Sequence, residues 1–334
     1  MNGRQTTLSI VAALLFVGGL MAMMLITPTV RNSSVPTTGP GTLAGELLPE
    51  ETTEPPTEPP ATLPPDTQLA EDAEAQLSAK YAFVYSTEEN RLLYLRGDQD
   101  EALSPASLTK LLTAKVALSC LKPDAEITVG EEITWIDPES SVAYLQVGHR
   151  LSVEMLIQGL LMQSGNDAAY TLAVAGGRAL SGDEALDRRQ AIDVFLSEMN
   201  RQAGELGMES THFENPDGID AETHYTTVRD LVTLTLAVLD QPLITKYCSM
   251  EQADVTFASG EVCTWFNSNS LLDPQSEYYR QEAMGLKTGS TSGAGKCLIS
   301  LFQEGDHFLI IGVLGSTDDT TRYTDTLLLY QSYT

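Results

Sequence analysis

The chain has 334 residues and a formal net charge of -27, with 46 Asp and Glu against 19 Lys and Arg. That length can bury a sizeable core as one large domain or two small ones, and so acid a chain is excluded as a binder that neutralises nucleic-acid phosphates with clustered Lys and Arg. The four Cys, at 120, 248, 263 and 297, include no CxxC pair, and the four His include no HExxH, so neither a zinc nor any other metal or cofactor is expected.

Leu8 to Ile26 is an apolar run of 19 residues without a charge that follows Arg4. It is long enough to cross a bilayer as a helix. No A-x-A cleavage site follows it, so residues 1–31 are expected to be an uncleaved signal anchor, with a cleaved signal peptide as the rival reading. The absence of Cys before Cys120 excludes a lipoprotein anchor. Residues 32–77 are rich in Pro, Thr and acid, with no basic residue, and cannot bury enough apolar surface to fold. They should form an extended, disordered stalk. The folded domain is expected over 78–334.

Within that domain Tyr81 to Ser86 and Arg91 to Arg96, joined by Thr87-Glu88-Glu89-Asn90, read as a β-hairpin. Helical spacing runs through 106–120, 153–163, 166–175, 185–206 and 228–239. Paired strands are expected at 253–257 and 261–266, then three more at 284–288, 296–302 and 307–314, before a closing helix over 320–330. A hairpin at the start and strands at the end predict one sheet assembled from both chain ends, with a helical lobe inserted between them.

Three short motifs carry chemistry. In Ser104-Pro105-Ala106-Ser107-Leu108-Thr109-Lys110, Ser104 is a suitable N-cap and Pro105 suits the first helical position. Ser107 would then lie in the first turn with Lys110 on the same face. Its N–H would have no intrahelical partner and could donate to an oxyanion, and a desolvated Lys110 could be neutral enough to act as base. Alone, this pair is a weak signal, because Ser and Lys at this spacing are far more often found on an ordinary surface helix. Ser164-Gly165-Asn166 sits at a junction of two helical segments, where on its own it is ordinarily a helix boundary with Ser164 or Asn166 as cap. Lys287-Thr288-Gly289-Ser290-Thr291 ends a strand, and Gly289 would let a ligand approach the strand edge. A phosphate loop is excluded, since Ser290 and Cys297 stand where Gly and Ser or Thr are required. A GxSxG elbow fails because Thr291 occupies its centre.

Ser-x-x-Lys, Ser-x-Asn and Lys-Thr-Gly in this order are the signature of serine penicillin-recognising enzymes. Through the stretches 104–111, 160–169, 206–216, 224–231, 267–272 and 285–289 the chain resembles the low-molecular-mass D-alanyl-D-alanine carboxypeptidases, a family of penicillin-binding proteins. The resemblance implies an α+β fold of the DD-peptidase/β-lactamase-like transpeptidase type, an antiparallel sheet flanked by helices plus an all-helical lobe. It implies that Ser107 is the acylated nucleophile, Lys110 its base, and Ser164 a proton relay ordered by Asn166 and Lys287. Lys287 and Thr288 would face the substrate carboxylate, with Arg322 as a second anchor unless it is a surface arginine of the last helix. The N–H groups of Ser107 and Ser290 would form the oxyanion hole beside Gly289. Asp217, where the family commonly has His, Ser or Thr, is expected to be loop variation without catalytic meaning. Many relatives continue into a β-rich domain and a C-terminal membrane helix, so here the N-terminal span would be the membrane attachment.

The implied partners are peptidoglycan stem peptides ending in D-Ala-D-Ala, and β-lactams as covalent inhibitors. The implied location is the cell membrane, single-pass, with the domain outside the cytoplasm, or secreted if the leader is cleaved. Two other readings are weighed against this one. A class A β-lactamase needs an ExxxN pattern between the second and third motifs, and no Glu in residues 167–286 has Asn four residues on. A wall-sensing module without turnover would have no need to keep all three reactive motifs. The four thiols are expected to be structural and mostly buried, although the pairings open to them in an oxidising compartment cannot be chosen from spacing.

Overall fold

The structure, a computed structural model, describes residues 69–334. The expected anchor over 1–31 and the stalk through residue 68 lie outside the described residues. Among the described residues no helix is long and apolar enough to cross a membrane. Ordered structure begins ahead of the boundary expected at 78. A short helix α1 (Glu71–Glu74) is present, Leu77 is buried, and Arg96 Nη1 pairs with Glu74 Oε1 at 3.0 Å.

The hairpin β1 (Tyr81–Ser86) and β2 (Arg91–Arg96) forms as expected. Asn90 turns it with a φ of 51°, a left-handed state that Asn tolerates better than most residues. A 3-10 turn over Ala106–Thr109 leads into α2 (Lys110–Cys120). The expected cap does not form here. Pro105 precedes the turn, and the Ser104 hydroxyl donates instead to Asp220.

The helical lobe follows, beginning with the small ribbon β3 (Glu126–Thr128) and β4 (Arg150–Ser152). Next come α3 (Val153–Met162), α4 (Asn166–Ser181), α5 (Arg188–Glu205), α6 (Val228–Leu239) and α7 (Pro242–Ser249). Side chains cap several of these helices. Ser152 accepts from the Met155 N–H at the start of α3, and Thr227 accepts from the Asp230 N–H at the start of α6. Residues β5 (Gln252–Thr256) and β6 (Val262–Phe266) form a second ribbon. The chain ends with β7 (Ala283–Thr291), β8 (Gly295–Glu304), β9 (His307–Ser316) and α8 (Asp319–Ser332), the last opened by a capping box between Asp318 and Thr321.

The main sheet is antiparallel throughout, in the order β2-β1-β9-β8-β7, so it is built from both chain ends with β7 on its edge. All six residues of β1 are buried because both faces of the sheet are covered. With the two-residue period of a strand, Tyr81, Phe83 and Tyr85 enter the core shared with the helical lobe. Ala82 and Val84 enter a second core beneath α8, where Tyr330 stacks on Phe302 with ring centroids 4.1 Å apart.

Gly312 of β9 lies opposite Phe83, and a Cβ there would fall 2.0 Å from a carbon of the buried Phe83 ring. Gly312→Ala should overpack the sheet and cost about 1–3 kcal/mol, read as a fall of several degrees in the thermal midpoint. Adding Phe83→Leu to the same chain should recover part of the loss. An unchanged midpoint for Gly312→Ala would show that the ring has room to move.

Candidate active site

The first motif is shaped by backbone geometry. Ala106 adopts a φ of 49°, a conformation costly for a residue with a side chain, and it turns the chain immediately before Ser107. Two glycines let neighbouring segments close on this turn. A Cβ at Gly218 would fall 1.9 Å from the Ala106 carbonyl oxygen, and one at Gly289 would fall 3.2 Å from the Ser107 nitrogen. Strand β7 therefore lies directly against the Ser107 turn. Lys110, one turn on, is 0% exposed. Its Nζ donates to Ser107 Oγ at 2.8 Å and to the Asp217 carbonyl oxygen at 2.5 Å. Burial brings the Lys110 amine down to about 8, although the Asp217 and Asp167 carboxyl groups oppose the shift.

The second and third motifs meet across the same space. Ser164, also left-handed with a φ of 57°, links α3 to α4. Its Oγ accepts from Lys287 Nζ at 2.9 Å, and Lys287 also donates to the Thr288 carbonyl at 2.9 Å. Lys287 is 1% exposed, and burial, with the nearby Lys110 charge, holds its amine well below the usual range for lysine. Asn166 Nδ2 donates to Ser140 Oγ at 2.8 Å. Thr288 Oγ1 lies 2.7 Å from Ser268 Oγ, and the Ser268 carbonyl accepts from the Tyr323 hydroxyl at 3.2 Å.

Arg322 is not a surface arginine. It is 8% exposed, with Nη2 2.9 Å from Asp319 Oδ1, the guanidinium over the Tyr323 ring at 4.9 Å, and a buried Nε with no hydrogen-bond partner. Its positive charge contributes to lowering the Lys287 amine.

An open cavity of about 610 Å³ exposes Ser107 and Asn166 and is lined also by Ser140, Asp217, Asp220 and Ser290 among others. Its roof, residues 137–147, is pinned from below. The Asp167 carboxylate accepts the N–H groups of Ala143 and Leu145 at 2.8 and 2.9 Å, and buried Trp265 donates to the Ala143 carbonyl at 3.0 Å. The floor of the Ser107 turn is held by His224. This ring is buried, its Nδ1 accepts from the Glu214 N–H at 3.0 Å, and its Nε2 lies 2.9 Å from Thr109 Oγ1. Burial pushes its pKa down to about 4, so at neutral pH the ring is uncharged and carries its proton on Nε2, which donates to Thr109. The four Cys are free thiols, two of them buried, and burial pushes Cys297 up to about 11.

The sequence reading missed three contributors. Asp217 was expected to be catalytically silent, yet its backbone carbonyl receives the Lys110 amine and its own carboxyl is buried beside it. A carbonyl oxygen leaves no trace in residue type. The roof over 137–147 and the position of Asp220 likewise depend on tertiary contacts. The one local signal was the Asn215-Pro216-Asp217-Gly218 turn, whose Gly218 has a φ of 93°.

A serine and a lysine in contact at the edge of an antiparallel sheet, facing a second Ser-Lys pair, define a serine acyl-enzyme hydrolase. The D-alanyl-D-alanine carboxypeptidase family model matches residues 67–318. The D-alanyl-D-alanine carboxypeptidase of Streptomyces sp. strain K15 is 34% identical over 235 residues, covering 68% of this chain and 77% of the relative. D-alanyl-D-alanine carboxypeptidase DacC of Escherichia coli is also 34% identical, over 69% of this chain, which spans only 54% of that relative. Among solved structures, the Streptomyces K15 DD-transpeptidase superposes with a TM-score of 0.69 at 29% identity, over 77% of this chain and 97% of that one. The ampicillin-bound penicillin-binding protein D2 of Listeria monocytogenes gives 0.62 at 30% identity, over 77% and 98%. The chain belongs to the D-alanyl-D-alanine carboxypeptidase family and is a serine-type peptidase of the penicillin-binding class.

Because the Lys110 amine loses its proton near pH 8 and only the neutral form can accept the Ser107 proton, acylation by a β-lactam should accelerate as pH rises through that value. Stopped-flow acylation rates measured from pH 6 to 10 check this. A rate that is flat across the range would remove Lys110 as the titrating group.

Proposed function

We propose that this enzyme removes the terminal D-Ala from peptidoglycan stem peptides through an acyl-enzyme on Ser107. The observation that carries the reading is the pair of neighbouring amine–hydroxyl contacts, Lys110 to Ser107 at 2.8 Å and Lys287 to Ser164 at 2.9 Å, with Ser107 open to the cavity. Neutral Lys110 takes the hydroxyl proton as Ser107 Oγ bonds to the carbonyl carbon of the penultimate D-Ala. The negative charge that develops on the carbonyl oxygen is received by the N–H groups of Ser107 and Ser290. The Thr288 carbonyl accepts from Lys287 rather than only from the ladder, and strand alternation turns Ser290, two residues on, to the same free edge of β7. Collapse breaks the C–N bond, and the proton passes through Ser164 to the departing amine of D-Ala. Water then enters by the same base and releases the shortened peptide. A β-lactam acylates Ser107 by the first half of this sequence.

The substrate carboxylate lies against Lys287, Thr288 and Arg322. The Arg322 charge acts locally against an acidic cavity rim that carries Asp137, Glu139, Asp217 and Asp220. Asn166 holds Ser140 and with it the roof over the peptide. Because this substrate lies outside the cytoplasmic membrane, the domain is extracytoplasmic. Residues 1–31 serve as its membrane anchor, or as a cleaved leader, and the stalk is its tether.

Ser107→Ala should abolish covalent labelling by fluorescent penicillin and release of D-Ala, with folding intact. Labelling of the folded variant would refute the nucleophile. Charge-assisted bonds to a carboxylate are worth about 1.5–3 kcal/mol. Arg322→Ala should therefore lower kcat/KM for a D-Ala-D-Ala peptide by roughly one to two powers of ten, yet largely spare its C-terminal amide. Lys287→Ala should impair both substrates. Equal losses on acid and amide for Arg322→Ala would make Arg322 structural.

A further inference from the structure

Asp220 stands outside the three motifs, yet its carboxylate joins the segments that bear two of them. Oδ1 accepts from the Ser104 hydroxyl at 2.5 Å and from the Thr291 hydroxyl at 2.7 Å. Oδ2 accepts from the Gly293 N–H at 2.7 Å and the Ser292 hydroxyl at 3.3 Å. Ser104 lies three residues before Ser107, and Thr291 directly follows Ser290. The carboxylate therefore spans from the loop leading into the nucleophile turn to the hairpin that ends β7. A Cβ on Gly293 would come within 2.9 Å of the carboxylate, so the hairpin is seated closely on it.

The segment that carries Asp220 is itself fixed. Asn215 accepts the Gly218 N–H at 2.7 Å and donates to the Ile219 carbonyl at 2.8 Å, Gly218 packs on the Ala106 carbonyl, and the Asp217 carbonyl receives Lys110. One short loop thus contacts the base, the nucleophile turn and the end of β7. Partial burial alone would raise the Asp220 pKa, but the hydrogen bonds from Ser104, Thr291 and Gly293 hold it below the usual carboxylate range. The group is an anion at neutral pH and suited to accept four donors at once.

We infer that Asp220 is a positioning residue for acyl transfer: its carboxylate clamps the Ser104 and Thr291–Gly293 segments together and so sets the separation of the Ser107 and Ser290 N–H groups across the developing oxyanion. This rests on the reading of those two amides as the oxyanion donors. Donors of this kind act only when held at hydrogen-bond distance from where the charge appears. Asp220 bonds Ser104, Thr291, Ser292 and Gly293 rather than Ser107, so its loss should act chiefly on kcat; because its carboxylate also lines the cavity, removing that charge should if anything lower KM for an anionic substrate.

The test compares an acyl-D-alanyl ester substrate with its thionoester, in which sulfur replaces the carbonyl oxygen. A hole spaced for oxygen discriminates against the larger, weaker acceptor. Asp220→Asn keeps the shape but places donors among donors, and Ser104→Ala removes one arm of the clamp while leaving the carboxylate in place. In both variants kcat for the ester should fall, by about tenfold or more for Asp220→Asn, the thionoester rate should fall much less, and the ester-to-thionoester ratio should narrow. Asp220→Glu should not restore the ratio, since the added methylene meets a closely seated hairpin. Proportional losses on both substrates, or ester turnover unchanged in Asp220→Asn, would overturn the clamp. Ester-to-thionoester discrimination absent from the wild-type enzyme would instead overturn the assignment of the two amides, so the failures are distinguishable.

Discussion

Two lysine amines are buried within one site, and around each the water of a normal lysine has been replaced by one hydroxyl and one carbonyl oxygen. Lys110 has Ser107 and the Asp217 carbonyl, and Lys287 has Ser164 and the Thr288 carbonyl. Desolvation disfavours the charged form of each, and the Lys110 charge disfavours protonation of Lys287 further. A pair of ordinary surface lysines would be fully protonated and useless as bases. The site has to hold these side chains dry, and most of the surrounding architecture can be understood from that requirement.

The sheet supplies one wall. Its edge strand β7 carries Lys287 through Ser290 and lies so close to the Ser107 turn that a Cβ at residue 289 would crowd it. The helical lobe supplies the other wall, with Ser164 in a left-handed link between two buried helices and the roof over 137–147 pinned by Asp167 and Trp265. Left-handed φ values at Ala106 and Ser164 are unfavourable locally and persist because packing on both sides determines them. Neutral His224 beneath Thr109 adds a hydrogen-bonded support without adding charge near the lysines.

Much of this was legible in the sequence. The hairpin at 81–96, the strands after 283 and the closing helix carry clear period and turn signals, and their placement at both ends of the domain implied one sheet assembled from both ends, as is found. The three motifs were legible because reactive residue types must sit at fixed spacings. What escaped was carried by backbone or by tertiary contact. Ser104 has the chemistry of a cap, but Asp220, 116 residues away, competes successfully for its hydroxyl. Helix α7 begins at Pro242, a good first-turn residue, but its eight residues are too few to display a helical period. Asp217 acts through its carbonyl, which any residue would provide, so its side chain gave no warning.

The central claim is that burial lowers the Lys110 amine far enough for its neutral form to serve as the base, and the most direct measurement is the titration of that amine itself. With isotope-labelled lysine, and Lys110→Arg to assign the resonance, NMR should find a Lys110 signal that titrates near pH 8. A Lys110 signal that stays protonated above pH 10, as in free lysine, would contradict the account.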